Sequence, residues 1–503
     1  MQIQRRQQTA CVPLEKLMNY NTIMNECSLG GICGGCSCAE TTYAEQLAHK
    51  EQRVRTLLDG ACGADTYGYE GTAASPMIFG YRNKMEYSFG DDRKDGPLTL
   101  GLHKKRSFYD VIDVDCCRLV HEDCNRIVKA AGEYFRARGL TYADKRTHLG
   151  YLRHLLIRRT VNTGEILIDV VTTSQPLIPV EKHADINNTA IYAPESFAVF
   201  FAGNAAPDGT AAAGGVLTAG AAPVGNTGPF LQEPVRRKGR GRRGSDIEII
   251  PGKVRAAAGT PMLSEAEVME GFTECILRLQ KEERLEGTIR GILHTYNDSL
   301  SDAVKNDSTA VLYGEDHITE ELLGLKFRIS PFSFFQTNTR GAELLYAKVR
   351  EFISGELGPE MRVFDLYSGT GTIAQMLAPC VKEVTGVEIV EEAVEAARAN
   401  AKANGLFNCR FVADDVLHAL DTMEEPDLII LDPPRDGVNP KALQKIIGFG
   451  VRSMVYVSCK PESLARDLEM LQYAGYRILR SAAVDQFPWT DNIETIALLR
   501  RED

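Results

Sequence analysis

From Met361 onward, short apolar segments alternate with helical ones, and this rhythm constrains the fold more than any other feature of the chain. Arg362 to Leu366 predicts a strand, followed by a glycine turn and a helix through Met376-Leu377. Val384 to Ile389 predicts the next strand, with Glu388 at its end. Glu391 to Ala403 is an Ala-rich helix stopped by Asn404-Gly405, a C-terminal capping signal. The segments Asp427 to Leu431 and Ser453 to Val457 predict strands with both faces buried, as in the centre of a parallel sheet. A helix over Glu462 to Ala474 follows. The closing strand-like segments, Arg477 to Ala483 and Ile493 to Leu499, have no helix between them and are expected to pair antiparallel. Strands alternating with helices give an α/β, Rossmann-like doubly wound sheet. Such sheets bind ligands outside the carboxyl ends of their strands.

Three motifs fall at that edge. The first is the turn Asp365-Leu366-Tyr367-Ser368-Gly369-Thr370-Gly371-Thr372. Glycines there let the backbone turn tightly and approach a ligand, with helix amides beyond. Glu388 follows 19 residues after Gly369, about where an acid that grips a ribose is expected. Asp432-Pro433-Pro434-Arg435 follows a later strand. An opening of Asp-x-x-x-Gly-x-Gly favours S-adenosylmethionine over a dinucleotide. The second motif is Ser458-Cys459-Lys460-Pro461, where proline stops the strand and leaves a sulfur at the sheet edge. A buried cysteine is commonly only a small hydrophobe, but a thiolate here is a candidate nucleophile. The C6 carbon of a pyrimidine suits it, because addition there makes C5 able to accept a methyl group. The C5 proton must then leave, and Glu494 on a closing strand is a candidate base. The third motif is Phe334-Phe335-Gln336-Thr337-Asn338. It is either a helix-capping cluster or, through Gln336, a contact to the amino-acid end of the cofactor.

Composition narrows the setting. The chain has 503 residues, 44% hydrophobic and 25% charged, enough for two or three domains. No apolar run approaches the roughly 20 residues that span a membrane, and no apolar signal core follows Met1-Gln2-Ile3, so a cytoplasmic protein is expected. Thirteen cysteines argue for metal or catalytic use rather than a disulfide scaffold. Cys27, Cys33 and Cys36, with Gly34-Gly35 between the last two, suit a zinc or iron–sulfur site that needs a fourth ligand. The adjacent Cys116 and Cys117 are candidates, with Cys38 and Cys124 behind them. The net charge of −11 hides local basic runs at 103–106, 153–159 and 236–243. The last lies in an Ala/Gly-rich stretch, about 201–260, that reads as a disordered insertion: either a solvated loop or a phosphate contact.

Together these motifs resemble the RNA uracil-5-methyltransferase family, and within it the iron–sulfur 23S rRNA (uracil-5-)-methyltransferases. The resemblance covers residues 27 to about 180 and about 285 to 503. It rests on C-x5-C-G-G-C followed by Tyr43 and Gln46-Leu47; on Tyr81-Arg82-Asn83-Lys84; on Phe335-Gln336-x-Asn338; and on Asp365-x-Tyr367-x-Gly369. It rests further on Asp432-Pro433-Pro434-Arg435, on Ser458-Cys459-x-Pro461, and on Phe487-Pro488-x-Thr490 through Glu494. It implies a class I S-adenosylmethionine-dependent methyltransferase domain over 331–503. An α+β central domain over 27–330 would bind RNA and an iron–sulfur cluster. The resemblance implies Cys459 as nucleophile and Glu494 as base. It implies Gln336, Tyr367, Glu388 and Asp432 as S-adenosylmethionine contacts, and Cys27, Cys33, Cys36 and Cys117 as ligands of a 4Fe-4S cluster. The expected partner is RNA, foremost 23S rRNA, and the expected state is a monomer. Three departures stand out. The tail over 1–26 is too short for the OB-like domain of many members. Lys460 stands where Asn is usual, and Asn492 where His is usual. The competing readings are a tRNA uracil-5-methyltransferase, which generally lacks the cysteine cluster, and a catalytically silent iron–sulfur or zinc RNA-binding protein.

Overall fold

Two β-sheets organise the chain. This computed structural model describes residues 27–94, 96–177, 264–301 and 306–502, all within the unit formed by residues 1–180 and 261–503. The expected tail over 1–26 and the insertion over 201–260, with its basic run, lie outside the described residues.

Chain order begins with α1 (Tyr43–Cys62), whose entry is fixed by a reciprocal capping box between Thr42 and Glu45. β1 (Gly68–Ala73) follows. A seven-stranded sheet is then built from β2 (Lys84–Gly90), β3 (Thr99–His103), β4 (Val111–Asp113), β5 (Leu152–Arg159), β6 (Glu165–Thr172), β7 (Thr288–Tyr296) and β8 (Ser308–Gly314). Its order is β4-β3-β2-β5-β6-β7-β8, antiparallel except for the β6–β7 pair. Helices α2 (Glu122–Ala137) and α3 (Glu265–Lys281) cover it, packing Ile127, Phe135, Phe272 and Ile276 against Tyr87, Leu155 and Ile168.

A hairpin, β9 (Ile318–Leu322) and β10 (Leu325–Ile329), leads to α4 (Thr339–Ile353) and into the second sheet. Its strands and helices are β11 (Arg362–Leu366), α5 (Thr372–Leu377), β12 (Glu383–Glu388), α6 (Glu391–Ala403), β13 (Cys409–Ala413), α7 (Val416–Ala419) and β14 (Leu428–Leu431). They continue as α8 (Pro440–Gly448), β15 (Ser453–Ser458), α9 (Pro461–Tyr473), β16 (Tyr476–Val484) and β17 (Glu494–Arg501). The strand order is β1-β16-β17-β15-β14-β11-β12-β13. Strands β15, β14, β11, β12 and β13 are parallel, and β17 runs antiparallel between β15 and β16, as expected for the closing segments. The expected α/β, doubly wound architecture is present. Leu428 and Ile430 face one core cluster while Ile429 and Leu431 face the other, which is why this strand is apolar at every position.

Two strands of this sheet were not anticipated. β13 joins the parallel sheet beyond β12. β1, from within the segment expected to belong to a central domain, pairs parallel with β16 and so adds an edge strand to the methyltransferase-type sheet. Among the described residues no helix is long and apolar enough to cross a membrane.

Candidate active site

The sheet reverses direction of winding between β11 and β14, and the loops leaving these strands open the crevice where such folds bind ligands. The chain leaves β11 through Tyr367, whose φ of 66° is left-handed, a conformation costly for an aromatic residue and usually kept for function. Gly371 has φ 71°, and a Cβ there would lie 2.4 Å from the Phe411 ring, so only glycine fits. The amide of Gly369 donates to Glu388 Oε2 at 3.0 Å, and Val390 N donates to Oε1 at 2.9 Å, which pins the end of β12 to the glycine turn. Asp365 accepts from Ala374 N at 2.9 Å, at the start of α5, while its other oxygen is buried without a partner. Burial first, then the Asp432 carboxylate, pushes Asp365 up to about 8.

Sequence reasoning missed a residue at the centre of this group. Tyr346 of α4 is buried and shares a hydrogen bond with the Gln336 side chain. Burial foremost, with Asp432, Glu494 and Asp365 nearby, drives its pKa well above the ordinary tyrosine value. One side chain therefore senses β11, the Asp-Pro-Pro loop and the start of β17 together. Its only sequence signal was a buried position on an amphipathic helix. Gln336 is itself oriented by Gln486, whose Nε2 donates to Gln336 Oε1 at 2.7 Å. Asn338 caps α4 through Gly341 N at 2.8 Å, as the capping reading predicted. Tyr367 lies on the other side, near Asp415 and Asp467, and burial chiefly raises it to about 12.

Cys459 and Glu494 meet because of strand direction. β15 ends at Ser458 and β17 begins at Glu494; the antiparallel register pairs Ser458 with Thr495. The strand running against its neighbours thus starts where they stop, at the carboxyl edge. Ser458 Oγ donates to Lys460 O at 2.8 Å and accepts from Lys460 N at 3.2 Å, forming the turn into α9, with Pro461 in its first turn. Burial, then Glu494 and Asp432, pushes the Cys459 thiol up to about 11, with Arg435 opposing. Burial and Asp432 push Glu494 up to about 8, again with Arg435 opposing. Burial raises Asp432 to about 7. Arg435 is held by donation to Asn492 Oδ1 at 3.1 Å. The raised values keep both the nucleophile and base candidates largely protonated at pH 7, and Arg435 opposes both shifts.

The loop over 485–493 that delivers Glu494 is clamped from the N-terminal side. Lys50 of α1 forms a buried 2.7 Å ion pair with Asp485 and donates to Phe487 O at 3.0 Å. Gln46 Oε1 accepts from Trp489 N at 3.0 Å, and Arg53 donates to Asp491 O at 2.8 Å. The cysteine segment joins in. Cys38 N donates to Trp489 O at 3.2 Å, Cys38 Sγ donates to Asp491 Oδ1 at 3.1 Å, and Asp491 N donates to Ser37 Oγ at 3.1 Å.

The expected metal ligands come into one neighbourhood without closing on a site. Burial raises Cys36 to about 12 and raises Cys33 and Cys117, and the thiols of Cys27, Cys33, Cys36 and Cys117 all appear among one another's electrostatic neighbours. Cys116 is exposed, with its sulfur 3.6 Å from Ser28 Oγ. Among the described residues no group of three His, Cys, Asp or Glu stands in a metal-holding arrangement, and every described cysteine is free. Four thiols from two segments are a suitable donor set for a thiolate-bound metal centre, but their present arrangement is not a formed one.

Comparison with known proteins gives the chain its relatives. Residues 304–502 match the family model described as tRNA (Uracil-5-)-methyltransferase. An uncharacterized RNA methyltransferase of Clostridium tetani is 39% identical over 479 residues, 95% of this chain and 84% of that protein. One from Caldanaerobacter subterraneus subsp. tengcongensis is 38% identical, covering 95% and 85%. Among solved structures, the Pyrococcus abyssi tRNA (uracil-54, C5)-methyltransferase in complex with S-adenosyl-L-homocysteine superimposes with a TM-score of 0.59 at 22% identity, over 92% of this chain and 85% of that one. That likeness establishes a class I methyltransferase fold. On the two bacterial relatives and the family model, the chain belongs to the RNA uracil-5-methyltransferase family and is an enzyme of that class.

Proposed function

We propose that the protein methylates C5 of a uracil in 23S rRNA, using S-adenosylmethionine and a covalent intermediate on Cys459. The observation that carries this reading is the β15–β17 register, which seats Cys459 beside Glu494, with Asp432 close to both. In the proposed sequence the Cys459 thiolate forms a bond to C6 of the flipped uracil, and the C5=C6 electron pair moves onto C5 and the C4 carbonyl. C5 then takes the methyl group from the sulfonium, releasing S-adenosylhomocysteine. Glu494 removes the C5 proton, the double bond re-forms, and Cys459 leaves as thiolate. Gln336, Tyr367, Glu388 and Asp432 are proposed to hold the methyl donor, whose cationic sulfur suits a crevice lined with carboxylates. A cation bound there also favours the Cys459 thiolate.

Cys459→Ala is expected to abolish methyl transfer, measured with labelled donor and rRNA fragments. Glu494→Gln is expected to accumulate a protein–RNA adduct that survives denaturing electrophoresis; normal turnover by that variant removes Glu494 from the base role. A second reading is a tRNA target, favoured by the family model's description. Mapping 5-methyluridine in rRNA and tRNA from cells with and without the gene separates the two.

We further propose a central domain over 27–330, which lends β1 to the second sheet, and a catalytic domain over 331–503, acting as a cytoplasmic monomer. The Arg/Gly run over 236–243 is proposed to add phosphate contacts, and its deletion is expected to lower the salt dependence of RNA binding. Cys27, Cys33, Cys36 and Cys117 are proposed to bind a 4Fe-4S cluster. Bound there, a cluster would tie the 27–36 segment to the 116–117 turn, and the redox-neutral methyl transfer takes no electrons from it. Anaerobic purification is expected to give brown protein whose colour is lost in Cys36→Ser; a colourless protein containing zinc contradicts the assignment.

A further inference from the structure

Away from the crevice, the connection between β3 and β4 carries two exposed aromatic rings, Phe108 and Tyr109, 61% and 52% accessible. They meet edge to face at 5.3 Å. Each faces a cation: Lys145 Nζ lies 4.5 Å from the Phe108 centroid, and Arg146 Cζ lies 5.7 Å from that of Tyr109. His103 lies parallel to Phe108 at 6.4 Å, and Lys104, Lys105 and Arg106 follow it. Phe108 also walls a cleft of about 300 Å³ shared with Lys145, His148, Arg153 and His154, at the lower end of the size range for small-ligand pockets. Arg153 is anchored by donation to the carbonyls of Asn297, Ser299 and Ser301 at 2.7 to 2.8 Å. The carboxylates near this cleft are already engaged. Asp144 accepts from the amides of Arg146 and Thr147 and from the Arg146 guanidinium, and Asp298 accepts from Ser174 N. Asp110, beside the rings, lies 4.0 Å from Lys104.

We propose that Phe108 and Tyr109, with Lys145, Arg153 and the 103–106 run, form a stacking platform for unpaired bases of the RNA substrate, next to its target uridine. Exposed rings bracketed by cations are what a single strand needs: π-faces accept any base, and the cations take the phosphates. A duplex offers neither ring an open base, and a protein partner gives no reason for so many cations around two rings. Position supports the same occupant. Gly34 N donates to His103 O at 2.9 Å and Lys105 N donates to Ile32 O at 2.8 Å, so the cysteine segment is stitched to the base of the platform. Four residues later Cys38 is bonded to the loop ahead of Glu494. Four Cα steps span at most about 15 Å, so one short segment links the base of the platform to the loop ahead of Glu494. The inference rests on the RNA reading of the crevice and adds to it the face that grips the flanking strand.

Binding of a fluorescein-labelled oligouridylate of roughly 12 nucleotides tests it. Phe108→Ala is expected to weaken binding by about 5- to 100-fold, the equivalent of losing one stacked base, and Phe108→Trp to restore it. Lys145→Ala is expected to lower affinity and reduce the salt slope by about 1. Affinity for S-adenosylhomocysteine and for a blunt RNA duplex is expected to stay unchanged. In methyl transfer, Phe108→Ala is expected to raise KM for RNA and leave kcat unaltered. Wild-type affinity in both Phe108→Ala and Tyr109→Ala, or failure of Phe108→Trp to restore it, overturns the platform. Wild-type protein that binds through Phe108 yet transfers no methyl group overturns the catalytic reading and leaves the platform standing. Full methylation with unaltered KM in Phe108→Ala overturns the platform alone.

Discussion

Cys459 sits in a setting that works against its own reactivity. Burial and two carboxylates hold the thiol near 11, with Arg435 and a backbone hydrogen bond pulling it down. Arg435 also opposes the upward shift of Glu494. Removing this guanidinium is therefore expected to raise both pKa values further. In ligand-free protein the rate of Cys459 alkylation by iodoacetamide is expected to climb with pH toward about 11, and the Arg435→Ala curve to lie at higher pH. Mass spectrometry of the Cys459 peptide reads this directly. The sign for Glu494 follows from the same raised pKa: below about 8 it carries a proton and cannot accept another, so proton removal from C5 gains with pH through that value. Asn492, which stands where relatives are expected to carry histidine, acquires a task in this picture, because its Oδ1 accepts from Arg435, the guanidinium that opposes the upward shift of Glu494.

At the scale of elements, α1 and the loop over 485–493 behave as one unit, joined through a fully buried ion pair. Lys50→Met leaves Asp485 without its cation in a dry site, and a loss of about 3–5 kcal/mol is expected in chemical denaturation. Activity is expected to fall as well, because the same loop carries Glu494. The elements bearing the chemistry were legible because their signals are local. The apolar strands, the Asn404-Gly405 stop and the Pro461 turn each lie within a few residues of what they determine. Glu391–Ala403 was read to its ends because composition and cap agree. β1 was not legible. Gly68-Tyr-Glu-Gly-Thr-Ala carries no apolar run, and what makes it a strand is the open edge of β16, far along the sequence. The cysteine spacing raised the expectation of metal ligands but carried no sign of the bonds from Ser37 and Cys38 to Asp491, since hydrogen bonds between distant loops leave no periodicity. Tyr346 stayed hidden for the same reason.

Across the whole molecule, the methyltransferase-type sheet is completed by a strand that precedes its other members by most of the chain. A fragment beginning at residue 331 lacks both β1 and α1, leaving the β16 edge and the Asp485 carboxylate exposed. Such a fragment is expected to be poorly soluble and to aggregate in light scattering, whereas the full chain stays dispersed. The parallel β1–β16 pairing has a further consequence, in time. Glu70 and Arg480, which bridge these strands, are 410 residues apart. At about 5–20 residues per second of synthesis, β1 waits roughly 20–80 s for its partner strand to be made. Throughout that interval the nascent chain lacks β16 and Glu494, and its glycine turn is made only in the last part, so the crevice is complete only after β16 and β17 have joined the sheet that β1 began.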